Sequence, residues 1–229
     1  MTILASDFDN TIFFQDDELQ TKKNIECIKK FIARGNIFCI VTGRSYVDLK
    51  HFLKEYDIPY SYLICEDGAK IFNNMDYCLD TILLDEKDIK RIASYLEENH
   101  YDYYLEDGYN KTEYYGDCVK IVVNCTDEKE KEYLVKTLKE KEDIHIYPSR
   151  YHVNIIHKSV NKERAIKKLF NLEDLNYNLL HVIGDNENDY EMLKTFEGAV
   201  MKEHHPKLEE LGKKEYNTLE EYMEELMKN

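Results

Sequence analysis

Four short apolar runs constrain this chain more than any other feature, because none of them alternates with polar residues and each stops at a polar cluster. They are residues 2–8 (TILASDF), 37–41 (IFCIV), 62–65 (YLIC) and 179–183 (LLHVI). The first runs into Asp7 and Asp9, the second into Thr42, Gly43, Arg44 and Ser45, the third into Glu66, Asp67 and Gly68, and the fourth into Gly184 and Asp185. A strand that is apolar on both faces must be covered on both faces, which is the condition of a parallel sheet flanked by helices. Such sheets gather ligands beyond the carboxyl ends of their strands, where all four clusters fall. The intervening patterns are helical. Ile25, Ile28 and Ile32 form a stripe that Thr21 can cap and Gly35 can end, Ala165, Ile166, Leu169 and Phe170 form another, and Met192, Leu193 and Phe196 a third.

Between the third and fourth runs the texture changes. Stretches 101–107 (YDYYLED) and 117–124 (DCVKIVVN), with IHIYPS and YHVNIIHK later, alternate as half-exposed antiparallel strands do, and charged amphipathic helices are predicted at 86–99 and 127–141. The expected architecture is α/β: a Rossmann-like parallel-sheet core from residues 1–77 and 158–229, carrying an inserted α+β module at 78–157. With 8 Gly and 3 Pro in 229 residues and no internal repeat, the connections must be short and ordered.

Composition narrows the function. Hydrophobic residues make up 43% and aromatics 12%, which marks a globular chain although 34% of residues are charged. The net charge of −15, from 31 Lys+Arg against 46 Asp+Glu, repels phosphate backbones and anionic headgroups and argues against nucleic acid or membrane partners. No apolar run reaches the roughly 18 to 20 residues of a spanning helix, and the start MTILASDFDN lacks the pattern of a signal peptide, so a cytoplasmic location is expected. The six cysteines are scattered without metal-ligand spacing and are expected to be free thiols.

The rim clusters contain the chemistry. Asp7 and Asp9, two residues apart in an extended segment, face one space and can divide the roles of nucleophile or metal ligand and acid/base, although a solvated turn has the same sequence. A calcium loop fits badly, since Ile12 occupies the position that demands glycine. Asp185 and Asp189 in GDNEND suit a hard divalent ion, and the same residues also suit an ordinary helix start. Thr42, Gly43 and Arg44 offer a hydroxyl, a bare amide and a guanidinium to a phosphate, or a cap to the next helix. Lys162 opposes the dipole of the helix it begins, a local misfit that suggests a role beyond the surface. His204 and His205, adjacent on a loop, face apart and are read as surface residues.

In this order the four clusters resemble the motifs of the haloacid dehalogenase-like superfamily, and within it the Cof-like branch with a large cap between the second and third motifs. Asp7-Phe8-Asp9-Asn10-Thr11 resembles the first motif, Val41-Thr42-Gly43-Arg44 the second, Lys162 the third, and Gly184-Asp185-Asn186-Glu187-Asn188-Asp189, with Met192-Leu193 after it, the fourth. The resemblance implies a phosphatase working through an aspartyl-phosphate, with Asp7 as nucleophile and Asp9 as general acid and then base. It implies Mg²⁺ between the Asp7 carboxylate, the Asp9 backbone carbonyl and Asp185, supported by Asp189. Phosphate oxygens would be held by Thr42, Gly43, Lys162 and Asn188, with Arg44 beside them.

The insertion would then be the cap that sets specificity, with Arg150, Tyr151, His152 and Asn154 as first candidates for contacts to the leaving group. The implied substrate is a small phosphorylated metabolite, a sugar phosphate or cofactor phosphate, bound by a monomer or homodimer. Asp9 favours phosphatase or phosphomutase, because the superfamily's dehalogenases and P-type ATPases lack that carboxylate. A phosphomutase and a non-catalytic phosphate-binding regulator are the alternatives. Two positions depart from the branch: Asp67-Gly68-Ala69 stands where Asn-Gly-Ala is usual, and Met201-Lys202-Glu203-His204 where Met-Gly-Asn-Ala is usual.

Overall fold

The four apolar runs become neighbouring strands of one sheet. In the computed structural model, which describes residues 1–138, 144–148 and 152–228, the chain runs β1 (Ile3–Ser6), α1 (Glu18–Ala33), β2 (Ile37–Val41), α2 (Tyr46–Glu55), β3 (Tyr62–Cys65), β4 (Lys70–Asn73) and β5 (Cys78–Thr81). It continues through α3 (Glu86–Glu98), β6 (Asp102–Glu106), β7 (Lys111–Thr112), β8 (Lys120–Asn124), α4 (Glu128–Leu138), β9 (Ile144–Pro148) and β10 (His152–His157). Then come α5 (Lys162–Leu172), β11 (Leu180–Gly184), α6 (Tyr190–Thr195), β12 (Gly198–Met201), β13 (Lys214–Tyr216) and α7 (Leu219–Leu226).

The larger sheet has eight strands in the order β13-β12-β11-β1-β2-β3-β4-β5, parallel from β13 to β3 and antiparallel between β3 and β4. Ile3 sits opposite both Ile37 and Leu180, so β1 is central. From β1 the chain builds outward through β2 and β3, then returns to the other side of β1 with β11. The order therefore reverses beside β1, and loops leave the carboxyl ends of β1 and β11 in opposite directions, opening a crevice there. Ile3, Ala5, Cys39, Val41, Ile64 and Val182 pack with Ala165, Ile166, Leu169 and Phe170 of α5 and with Met192 and Leu193 of α6. The alternate residues Leu4, Phe38, Ile40 and Ile183 are also fully buried, on the opposite face, where α1 packs against β2 and α7.

The two compact units are Met1–Arg44 with Asp48–Asp80 and Asn161–Asn229, and Thr81–Val160 with Ser45–Val47. The second holds a five-stranded sheet, β7-β6-β8-β10-β9, antiparallel throughout. Leu105, Ile121, Val123, Ile146, Val153 and Ile155 point to one face and pack with Ile89, Ile92 and Leu96 of α3 and Leu134 and Leu138 of α4.

Two local expectations change. Asp17, not Thr21, caps α1 by accepting from the Gln20 amide; Thr21 lies inside the helix, and its hydroxyl accepts from the Phe14 amide. Cys78–Thr81 pairs at the edge of the larger sheet, because β5 extends the β3–β4 ladder before the chain reaches α3. Residues 139–141 of the predicted second helix lie outside the described residues. All six cysteines are free, and among the described residues no helix is long and apolar enough to cross a membrane.

Candidate active site

Asp7 follows the last residue of β1 and stays in register: its amide donates to the Ile183 carbonyl at 2.9 Å, so its side chain leaves at the mouth of the crevice beside β11. Asp9, two residues on, precedes Asn10, whose φ of 57° turns the chain back so that its amide meets the Phe13 carbonyl. Left-handed backbone at Glu66 and Asp67, with φ of 52° and 55°, likewise bends the chain after β3. Such conformations cost about 1–3 kcal/mol each and persist where surrounding structure fixes them.

Lys162 is the hub. The Asn161 side chain caps α5, so the lysine occupies the first helical residue and is 1% exposed. Its Nζ donates to Asp7 Oδ1 at 2.5 Å and to Asp189 Oδ1 at 2.7 Å. Gly68, with φ of 112°, lets the β3–β4 turn sit against the start of α5, where a Cβ would come within 2.6 Å of the Asn161 carbonyl. Burial alone would lower the Lys162 pKa, but Asp189, Asp7 and Asp67 outweigh it and hold the ammonium charged well above its ordinary range. The macrodipole misfit seen in the sequence is compensated by these carboxylates.

Asp189 is fully engaged: its second oxygen accepts from the Asp185 and Asn186 amides at 3.0 Å each. Gly184 makes room for it, since a Cβ there would lie 2.5 Å from Asp189 Cγ. Asp185 is held loosely by comparison, with Thr11 and Asn10 donating at 3.4 Å. Burial, reinforced by the Asp189 charge, pushes its carboxyl up to about 6. Burial also raises Asp7 well above the usual carboxylate range; Lys162 opposes this, and Asp189 and Asp185 add to it.

Ligand oxygens of Asp7, Asp185 and Asp189 lie within 4.8 Å of one another, all buried. These three desolvated carboxylates surround the Lys162 ammonium, and the hydrogen bonds that Asn10 and Thr11 give the Asp185 carboxylate are long. That donor set fits a hard divalent cation with oxygen ligands.

The phosphate-binding candidates sit at the same rim. Thr42 is buried and accepts from the Arg44 amide at 3.1 Å, leaving its hydroxyl proton to donate elsewhere. Asn188 donates one amide hydrogen to Asp67 Oδ1 at 2.9 Å, and that carboxylate stands beside Gly43, where a Cβ would meet it at 2.9 Å. Arg44 points its guanidinium elsewhere: Nε and Nη2 donate to both oxygens of Asp9 at 2.9 and 2.7 Å, and Nη1 to Asp48 at 2.8 Å. Burial would lower Arg44, but Asp9 and Asp48 hold it above its ordinary value.

Thus Asp7, Lys162, Asp185 and Asp189 converge, Asn188 joins them through Asp67, and the Asp9 side chain is paired with Arg44. His152 lies on β10 in the other unit, with its Nδ1 buried and without a hydrogen-bond partner among the described residues, and Asn154 is buried on the same strand. Arg150 and Tyr151 lie outside the described residues. His204 bonds the Met201 carbonyl, and His205 caps the short helical turn that follows, so neither joins the carboxylate cluster.

The sequence reading missed Asp48 and Phe52 as neighbours of Arg44. The i, i+4 spacing of Arg44 and Asp48 was the available signal. Thr11 and Asn10, which reach Asp185 from the other end of the chain, left no signal beyond their place after Asp9.

A family model of the haloacid dehalogenase-like hydrolases matches residues 4–117 and 107–221. A 5-amino-6-(5-phospho-D-ribitylamino)uracil phosphatase of Bacillus subtilis is 29% identical over 109 residues, which span 47% of this chain and 37% of that protein. Among solved structures, a haloacid dehalogenase-like hydrolase from Bacteroides thetaiotaomicron superposes with a TM-score of 0.84 at 14% identity, covering 98% of this chain and 99% of that one. A sugar phosphatase of subclass IIB superposes with a TM-score of 0.78 at 15% identity, covering 99% of each chain.

Proposed function

Because the chain belongs to the haloacid dehalogenase-like hydrolases, we propose that it is a Mg²⁺-dependent phosphatase of the Cof-like type, acting on a small phosphorylated metabolite through an aspartyl-phosphate. The observation that carries this is the grip of one buried lysine on Asp7 and Asp189, with Asp185 completing a three-carboxylate cluster. Asp7 attacks phosphorus while the P–O bond to the alcohol breaks, and Asp9 gives its proton to the departing oxygen. Water then attacks the acyl phosphate, passing a proton to the Asp9 carboxylate and releasing inorganic phosphate and free Asp7.

Lys162 spends two of its three N–H groups on carboxylates, which fixes Asp7 for in-line attack and leaves one donor for a phosphate oxygen. Thr42, the Gly43 amide and Asn188 supply further donors to the charge that spreads over the equatorial oxygens in the transition state. Asp7, Asp185, the Asp9 carbonyl and Asp189, directly or through water, are the residues that would hold Mg²⁺. When bound, the ion would offset the repulsion between a carboxylate nucleophile and a phosphate dianion.

The insertion, expected at 78–157 from the sequence and found as the unit Thr81–Val160, is assigned as a substrate-specificity cap, with His152 and Arg150 as candidate contacts. The B. subtilis phosphatase acts on a phosphorylated ribityl compound and the subclass IIB relative on sugar phosphates, which supports a polyol or sugar phosphate as substrate class here. The test is phosphate release from a panel of sugar, polyol, nucleotide and cofactor phosphates, with Mg²⁺ and with chelator, beside Asp7→Asn. Mg²⁺-dependent release from a few related esters is expected. Full activity in Asp7→Asn would overturn the aspartyl-phosphate.

A further inference from the structure

Arg44 occupies an environment built around its guanidinium. The fork on Asp9 uses Nε and Nη2, Nη1 is taken by Asp48, and Cζ lies 4.3 Å from the Phe52 ring centroid and 5.4 Å from that of Phe8. Those rings are fixed in turn: Phe8 and Phe52 meet edge-on at 5.8 Å, and Phe13 packs against both. Three of the five N–H groups of Arg44, including the Nε and Nη2 pair that would fork a phosphate, already bond carboxylates. Asp9, by contrast, needs help. Its side chain is 46% exposed, and a short half-exposed carboxylate left to itself samples several rotamers.

We infer that Arg44 is a positioning residue for Asp9 and not a phosphate ligand: its two-pronged bond sets the angle from which the Asp9 carboxyl delivers a proton to the leaving oxygen. The inference rests on the assignment of Asp9 as acid and base made above. A bidentate fork fixes a carboxylate in both position and plane, which a lysine's point charge does not. Proton delivery matters most when the leaving group is basic; as P–O breaks and the Asp7–phosphorus bond forms, a basic oxygen must take the Asp9 proton, while an acidic phenol departs as the anion.

The experiment compares kcat/KM for phenyl phosphate and 4-nitrophenyl phosphate, two esters of similar shape with leaving groups of different basicity. It uses wild type, Arg44→Ala and Arg44→Lys, with the inhibition constant for inorganic phosphate measured on each. The expected result is that the preference for the nitrophenyl ester grows about tenfold or more in both variants, while phosphate inhibition shifts by less than about threefold. Arg44→Lys keeps an aliphatic stem over Phe52 and a positive charge, so it separates loss of the fork from loss of packing or charge. If both esters lose equally, and phosphate inhibition weakens about tenfold in Arg44→Ala and recovers in Arg44→Lys, Arg44 is a phosphate ligand and the inference fails. Failure of the aspartyl-phosphate assignment shows separately, as turnover retained in Asp7→Asn with either ester.

Discussion

The two units bury charge in opposite ways. In the insertion, Lys120 and Glu106 lie directly across from each other on β8 and β6, at 3.1 Å, so the pair satisfies its own burial within one sheet. In the core, Lys162 reaches Asp7 across 155 residues of sequence, Asn188 reaches Asp67 across 121, and Arg44 reaches Asp9 across 35. A cross-strand pair stabilises the sheet in which it lies. Pairs drawn from several strand ends into one crevice hold reactive groups in place before a substrate arrives, at the expense of a cluster of like charges. The parallel sheet makes the second arrangement possible because all its strands from β13 to β3 end on the same side.

The largest effect that would break this contrast is chemical. Asp7→Asn is expected to lower turnover roughly 10³-fold or more while the thermal transition stays within a few degrees of wild type, as measured by phosphate release beside a melting curve. A variant that unfolded would make Asp7 part of the scaffold and not of a prepared site.

Next comes stability, read by denaturant unfolding. Lys162→Met leaves Asp7 and Asp189 buried without their cation and is expected to cost roughly 3–5 kcal/mol. Ile121→Ala, in the apolar core of the insertion, is expected to cost roughly 2–5 kcal/mol by the cavity it opens. The sharpening measurement is the rescue: Lys162→Met recovers stability when Asp7 is also changed to Asn, whereas Ile121→Ala does not respond to that change.

The carboxylate cluster should also bind cations when no substrate is present. Mg²⁺ at a hundred times its dissociation constant is expected to stabilise the protein by about 2.7 kcal/mol, and Asp185→Asn should abolish most of that gain in the same melting assay. The smallest effect concerns Asp67. Asp67→Asn keeps an acceptor for the Asn188 amide but removes a charge beside Lys162, so inhibition by inorganic phosphate is expected to tighten severalfold with the fold unchanged. Weaker inhibition would make the carboxylate itself part of phosphate recognition.

Much of this was legible in the chain. Runs apolar on both faces require a covered parallel sheet, and β2 and β3 fall on 37–41 and 62–65 as the pattern predicts. The alternating middle segment requires an antiparallel sheet with one face against helices, and Leu105, Ile121, Val123, Val153 and Ile155 follow it. Asp7 and Asp185 were readable for the same reason: a polar residue directly after a buried strand has only the rim to occupy.

What only the tertiary structure decided is where side chains of equal chemistry are directed. Thr42, Gly43 and Arg44 read as one phosphate-gripping set, yet the guanidinium turns to Asp9 because Phe8 and Phe52 wall its other side, and residues that build a wall from two distant segments leave no local pattern. Asp185 is expected as a ligand and Asp189 as its support, and the sequence does not say what holds each: two backbone amides and Lys162 hold Asp189, while the bonds from Thr11 and Asn10 to Asp185 are long. Burial and periodicity are properties of a segment, so the sequence determines them. The partner of a charged group is a property of which segments meet, and that is fixed only when the sheet order reverses beside β1 and brings Asp7, Lys162 and Asp185 to one crevice.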